Sequence, residues 1–181
     1  MGQQLSEFNK VDLLLMKQLK EGSEEALKSL VERYYQKTFV FVSCFVGWDA
    51  NKAYDITVSA FVESVRRMRS TRSNKSFLVP LIQIVLKQIK DLPTIAHEVQ
   101  GFSDSSNVKI KSIRFVTTAL TKLPIERKTA LLLRDQFNCT LDDISSIVGI
   151  PVPELKALIV QYRAHFRQSV ADVLEDSKGV K

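Results

Sequence analysis

The chain has 181 residues, 45% of them hydrophobic, and 26 Lys or Arg against 20 Asp or Glu give a formal charge of +6. With only 6 Gly, 5 Pro and 2 Cys, this composition excludes a disordered, collagen-like or disulfide-framed protein, and the length suits one mid-sized domain or two small ones. No apolar run approaches the roughly 18 residues of a membrane span, and Met1–Gln4 offer no basic lead into an apolar signal core, so no membrane insertion and a cytoplasmic location are expected.

In chain order, Val11–Leu19 carries apolar residues at helical spacing and stops near Gly22. Ser23, followed by Glu24 and Glu25, reads as an N-cap with an acidic first turn. It opens a second helix from Glu24 through Leu27, Leu30, Val31, Tyr34 and Tyr35 towards Val46. Thr38–Val42 is β-rich by propensity, but the periodic stretch enters it without a turn signal and Gly47 supplies the stop, so it is read as helix. A third helix is expected over Asn51–Met68, on the stripe Ala53, Ile56, Val58, Ala60, Phe61 and Val65. Ser70–Lys75 reads as a basic loop, and Ser76–Lys90 as a fourth helix that tolerates Pro80 only in its first turn.

From Leu92 to about Lys111 the periodicity fades into Pro93, Gly101 and the polar run Ser103–Asn107, a natural boundary. Helices are expected beyond it over Ile113–Leu123, over Ile125–Gln136 behind Pro124, and over Leu141–Val148, where Thr140 and Asp143 have capping-box spacing. The tail after Asp172 is polar and reads as a fraying end. The expected fold class is all-α: two small helical domains, residues 1–91 and 112–181, joined by a polar linker at 92–111.

Charge is even between the two halves but uneven within the first. From Arg66 to Lys90 the chain carries seven basic residues (Arg66, Arg67, Arg69, Arg72, Lys75, Lys87, Lys90) and no acidic one, which suits a surface for phosphates. Cys44 and Cys139 have no paired spacing and read as buried small residues; with only His97 and His165 besides, neither a metal nor another cofactor is expected. The adjacent pairs Asp142-Asp143 and Glu24-Glu25 point about 100° apart on a helix, which argues against shared acid–base work, and no enzyme is expected. Trp48 reads as a half-buried corner residue and Tyr162 as core.

Thr140–Arg167 carries the strongest local motif. A short capped helix, Gly149, the connection Ile150-Pro151-Val152 and a longer helix from Pro153-Glu154 make a helix-turn-helix, with Ile144, Ile147, Val148, Ile150, Leu155 and Ile159 as its shared core. The exposed start of the second helix would then enter a DNA major groove. Glu154, Lys156, Ala157 and Val160 would face base edges or nearby backbone, and Gln161, Arg163 and Arg167 would reach phosphates.

The chain as a whole resembles the small bacterial RNA polymerase sigma factors of the extracytoplasmic-function (ECF) type. The carboxy-terminal resemblance rests on Ala119–Arg127 (ALTKLPIER), Leu131–Asp135 (LLLRD) and Thr140–Val152 (TLDDISSIVGIPV) with Lys156. The amino-terminal part rests on Gly22–Ala26, Leu30–Tyr35, Ala53–Ile56 with Phe61, and Ser76-Phe77. The resemblance implies that one domain docks on core RNA polymerase and opens the downstream promoter element while the other binds upstream duplex, with polymerase supplying all catalysis. It implies Asp55 as a polymerase contact, and Lys87, Thr140, Lys156 and Arg163 as DNA contacts beside Arg66, Arg67, Lys90, Glu154, Gln161 and Arg167. The chain departs from the family pattern at Val58 and Ser59, where a Gln-Glu pair is usual, and at Pro80, Lys87 and Leu158. The departures at Val58, Ser59 and Leu158, with the apolar Val160, motivate an alternative: a sigma-like protein that has lost promoter function and binds an anti-sigma or other regulatory partner.

Overall fold

The structure, a computed structural model, describes residues 7–70, 76–92, 120 and 123–178. Its elements are helices α1 (Glu7–Lys20), α2 (Glu24–Ser43), α3 (Ala50–Ser70), α4 (Leu78–Lys90), α5 (Ile125–Asp135), α6 (Leu141–Val148) and α7 (Val152–Lys178). No strand occurs among the described residues, so the all-α expectation holds. The expected linker beyond Leu92, the helix Ile113–Leu123 apart from Leu120 and Leu123, and the loop residues 71–75 lie outside the described residues. No described helix is long and apolar enough to cross a membrane.

The chain divides into two compact units, residues 1–42 with 51–93, and residues 43–50 with 94–181. In the first, α1 ends as its glycine signal dictates: Gly22 takes φ 91°, and the Gly22 and Ser23 amides donate to the Leu19 and Gln18 carbonyls. Ser23 then caps α2, its Oγ accepting from the Ala26 amide at 3.2 Å. Thr38–Val42 is helical despite its β propensity, because Thr38, Phe41 and Val42 are all buried and tertiary packing outweighs a weak local preference. Pro80 is the third residue of α4, inside the first turn, where helix amides lack partners in any case.

A core of Leu19, Leu30, Tyr34, Phe61, Phe77, Leu81 and Ile82 holds this unit together, with Phe77 lying 6.0 Å from the Tyr34 ring and 5.9 Å from that of Phe61. Each such fully buried side chain contributes on the order of 1.5–3 kcal/mol. At its centre sits the fully buried Asp12 carboxylate. Asp12 accepts from the Tyr34 hydroxyl, pairs with Arg33 Nε at 3.1 Å, and accepts from Ser76 Oγ at 3.2 Å. Ser76 Oγ in turn accepts from the Leu78 amide, so a charge on α1 fixes the start of α4. Burial, then the Asp12 hydrogen bond, hold the Tyr34 phenol far above its usual ionisation range.

In the second unit α5, α6 and α7 pack on one another around Leu133, Ile144, Leu155, Ile159 and Tyr162. Pro124 precedes α5 with φ −53° and ψ 149°, an extended cap position, and the helix starts at Ile125 behind it as expected. The longer helix of the motif begins one residue earlier than expected, at Val152, and continues to Lys178, where the polar sequence after Asp172 predicts a frayed end. Lys128 is buried in this unit; its Nζ donates to the Cys44 carbonyl at 3.2 Å and lies 4.7 Å from the Phe45 ring centroid. Burial depresses the ammonium pKa and pushes the Cys44 thiol up to about 11.

Candidate nucleic-acid interface

The helix-turn-helix is built from its caps. Thr140 stands in extended backbone ahead of α6; its Oγ1 accepts from the Asp143 amide at 3.1 Å, and its own amide donates to Asp143 Oδ2 at 3.3 Å. Asp thus completes the capping box that Glu or Gln usually closes. The Thr140 hydroxyl also donates to Asp143 at 2.7 Å, so this side chain is engaged in the cap. Gly149 ends α6 at φ 76° and ψ 16°, a left-handed conformation that turns the chain sharply into α7.

Helix α7 buries Leu155, Ile159 and Tyr162, half-buries Val152, Leu158 and Phe166, and turns the remaining residues of its first four turns outward. Glu154, Lys156, Ala157, Val160, Gln161, Arg163 and Arg167 are all exposed, the arrangement expected of a groove-entering helix. Arg163 forms an ion pair with Asp135 of α5, a partner 28 positions away that no local pattern could reveal. Arg127 supports the helix from beneath. Its guanidinium lies 5.4 Å from the Tyr162 ring centroid and donates through Nη1 to His165 Nδ1 at 2.9 Å.

In the first unit the cationic stretch is divided by its surroundings. Arg66 and Arg67 are exposed at the end of α3, but both are held by Glu63: Arg66 Nη2 at 2.6 Å and Arg67 Nε at 2.7 Å. The acid-free window begins just after their counter-ion, and spacings of three and four on a helix would have identified it. The Arg67 hydrogen bond, chiefly, holds the Glu63 carboxyl below its usual range. Lys87 and Lys90 differ. Helix α4 buries Leu78, Val79, Leu81, Ile82, Ile84, Val85, Leu86 and Ile89, leaving Gln83, Lys87 and Lys90 as one exposed stripe.

Asp55 is exposed on the second turn of α3, and Ser59, one turn on, accepts from Gln88 Nε2 at 3.0 Å. Seven residues beyond Asp55 the same face carries Val62, 66% exposed, at the edge of an open groove of about 490 Å³. Leu27 and Val31 of α2 and Phe61, Val65, Arg66 and Arg69 of α3 complete its lining. The resemblance points to Asp55, but no sequence signal marks the groove, which exists only once α2 lies beside α3.

Residues 116–166 match the sigma-70 region 4 family, a span that includes α5, α6 and most of the exposed face of α7. Over 185 residues, covering 90% of this chain and 97% of the relative, the sequence is 21% identical to the ECF RNA polymerase sigma-E factor of Haemophilus influenzae. It is 23% identical over 188 residues to the RNA polymerase sigma-H factor of Pseudomonas aeruginosa, covering 92% and 97% of the two chains. The fold is that of CnrH, solved in complex with the cytosolic domain of CnrY: TM-score 0.71 at 18% identity, over 90% of this chain and 98% of the other. The chain is thus similar over nearly its whole length to RNA polymerase sigma factors, and its carboxy-terminal part matches the sigma-70 region 4 family.

Proposed function

We infer that this protein is an RNA polymerase sigma factor, directing transcription initiation by binding core polymerase and promoter DNA. The observation that carries the reading is the capped helix-turn-helix at Thr140–Arg167, with its exposed α7 face, inside the region 4 match. The near full-length similarity to two sigma factors extends it to the rest of the chain. In this reading residues 1–91 dock on polymerase and engage the downstream element, 92–111 link, and 112–181 bind upstream duplex.

Asp55, on the α3 face that also bears the apolar groove, is the polymerase contact. Lys87 and Lys90 meet the downstream strand with Arg66 and Arg67. Thr140, Glu154, Lys156, Gln161, Arg163 and Arg167 meet the upstream duplex, the cations supplying affinity and the other polar side chains base readout. The protein is itself no enzyme, needs no cofactor, and works in the cytoplasm, where polymerase and promoter are. The CnrH complex with a second protein favours a regulatory partner in addition to these, an anti-sigma factor.

The test is transcription from genomic DNA by core polymerase, with and without the protein. New start sites are expected when it is added. Absence of new starts, together with no association with core polymerase under conditions where a known sigma factor associates, would leave the regulatory-partner reading in its place.

A further inference from the structure

Three parallel tracks run along the exposed side of α7. Pro153, Ala157, Val160 and Ala164 follow one another at steps of four, three and four residues and form a single line, all exposed. Lys156, Arg163 and Arg167 lie along one flank of that line, and Glu154 and Gln161, seven apart, along the other. The centre of the face is therefore apolar and narrow, with cations to one side and hydrogen-bonding groups to the other. Val160 is 69% exposed, the one large hydrophobic side chain standing this far out among the described residues of the second unit.

A line of this kind is a poor anchor for a protein groove. Helix-in-groove docking relies on several large apolar residues at successive turns, whereas here two of four are alanine and one is proline. It is well made for the floor of a DNA major groove. Small side chains let the helix backbone approach the base edges closely, and the cationic flank is positioned for the phosphates of one strand. Across all base edges in the major groove the apolar feature is the C5-methyl group of thymine.

We propose that Val160, seated between Ala157 and Ala164, is a specificity-determining residue that reads a thymine methyl in the upstream element. The proposal rests on the reading of α7 as the recognition helix. Glu154 and Gln161 supply the neighbouring polar readout, Glu accepting from a cytosine amino group and Gln pairing with adenine. No arginine stands among the first eleven residues of α7, so specificity does not rest on the common arginine–guanine contact there.

The test uses the full chain bound to core polymerase and a promoter duplex obtained by selection from random sequence. Each thymine of the upstream element is replaced in turn by deoxyuridine, which removes only the methyl group. Burying one methyl corresponds to about 0.8 kcal/mol, so the complex should weaken about three- to fivefold at one or two positions. With Val160→Ala, exposed and thus without consequence for the core, the thymine duplex should bind about as the uridine duplex does to the unaltered protein, and the discrimination should vanish. Binding that is indifferent to uridine at every position, or a preference that survives Val160→Ala, overturns the proposal while leaving the sigma reading intact. Failure of the complex to bind any selected duplex in a salt-dependent way overturns that reading and the proposal with it.

Discussion

At Gly149 the backbone takes φ 76°, and a Cβ there would meet no atom within 4 Å. The cost of a side chain is thus purely conformational. Gly149→Ala should destabilise the second unit by about 1–2 kcal/mol, and Gly149→Asn by less, since Asn visits the left-handed region more readily. Urea unfolding of the three proteins checks this; equal losses for Ala and Asn would point to a clash instead. Asp12 is the opposite case, a residue whose surroundings decide everything. Removing its carboxylate with Asp12→Ala deletes the buried ion pair with Arg33 and the Asp12 acceptor of the Tyr34 hydroxyl. A loss of about 3–5 kcal/mol is expected, read by the same unfolding measurement. Cys44 and Cys139 are both buried free thiols, and burial raises the Cys44 pKa. Alkylation of the native protein at mildly alkaline pH should therefore be slow at both, and fast once denaturant is added.

Among the elements, α3 shows how a helix can conceal its charge. Glu63 pairs with both arginines that open the cationic stretch and offsets part of their charge, and its folded pKa lies below the unfolded value. The stabilisation is accordingly complete above the usual carboxylate range and is lost as pH falls through the folded value. Glu63→Gln would free Arg66 and Arg67 for phosphates. Binding of the protein to single-stranded promoter DNA should then depend more steeply on salt, the logarithmic slope growing by about 0.7 for each cation recruited; an unchanged slope would mean that neither arginine meets the strand. The helices themselves were largely legible, since Gly22, Ser23, Thr140 and Gly149 mark ends by local chemistry alone; Gly47, expected to stop α2, lies four residues past its end at Ser43. Local chemistry did not reach the last turns of α7, where a polar sequence stays helical to Lys178. The site was legible where exposure follows from periodicity, as for Lys156, Val160, Lys87 and Lys90. It was not legible where a partner comes from afar, as Asp135 does for Arg163, or where two helices enclose a groove between them.

For the molecule as a whole, a net charge of +6 understates how the cations are deployed. Arg66, Arg67 and Arg163 each have an acidic partner, while Lys87 and Lys90 on α4 and Lys156 and Arg167 on α7 stand exposed on the faces proposed for DNA. Replacing Lys156 and Arg167 together by Gln should reduce the salt slope of upstream duplex binding by about 0.9 for each phosphate left without its cation, and by similar amounts for all sequences, because phosphates carry no base information. Sequence-dependent losses would assign one of the two to a base edge. Finally, the chain holds a single tryptophan, Trp48, half-buried at φ 64° in the short segment 43–50 that groups with the second unit. Its emission is a label already in place: selective excitation reports on that one corner, whereas circular dichroism sums every helix. Coincident denaturation curves from the two signals would show that corner melting with the rest of the chain, and curves that separate would time its release without any dye or engineered probe.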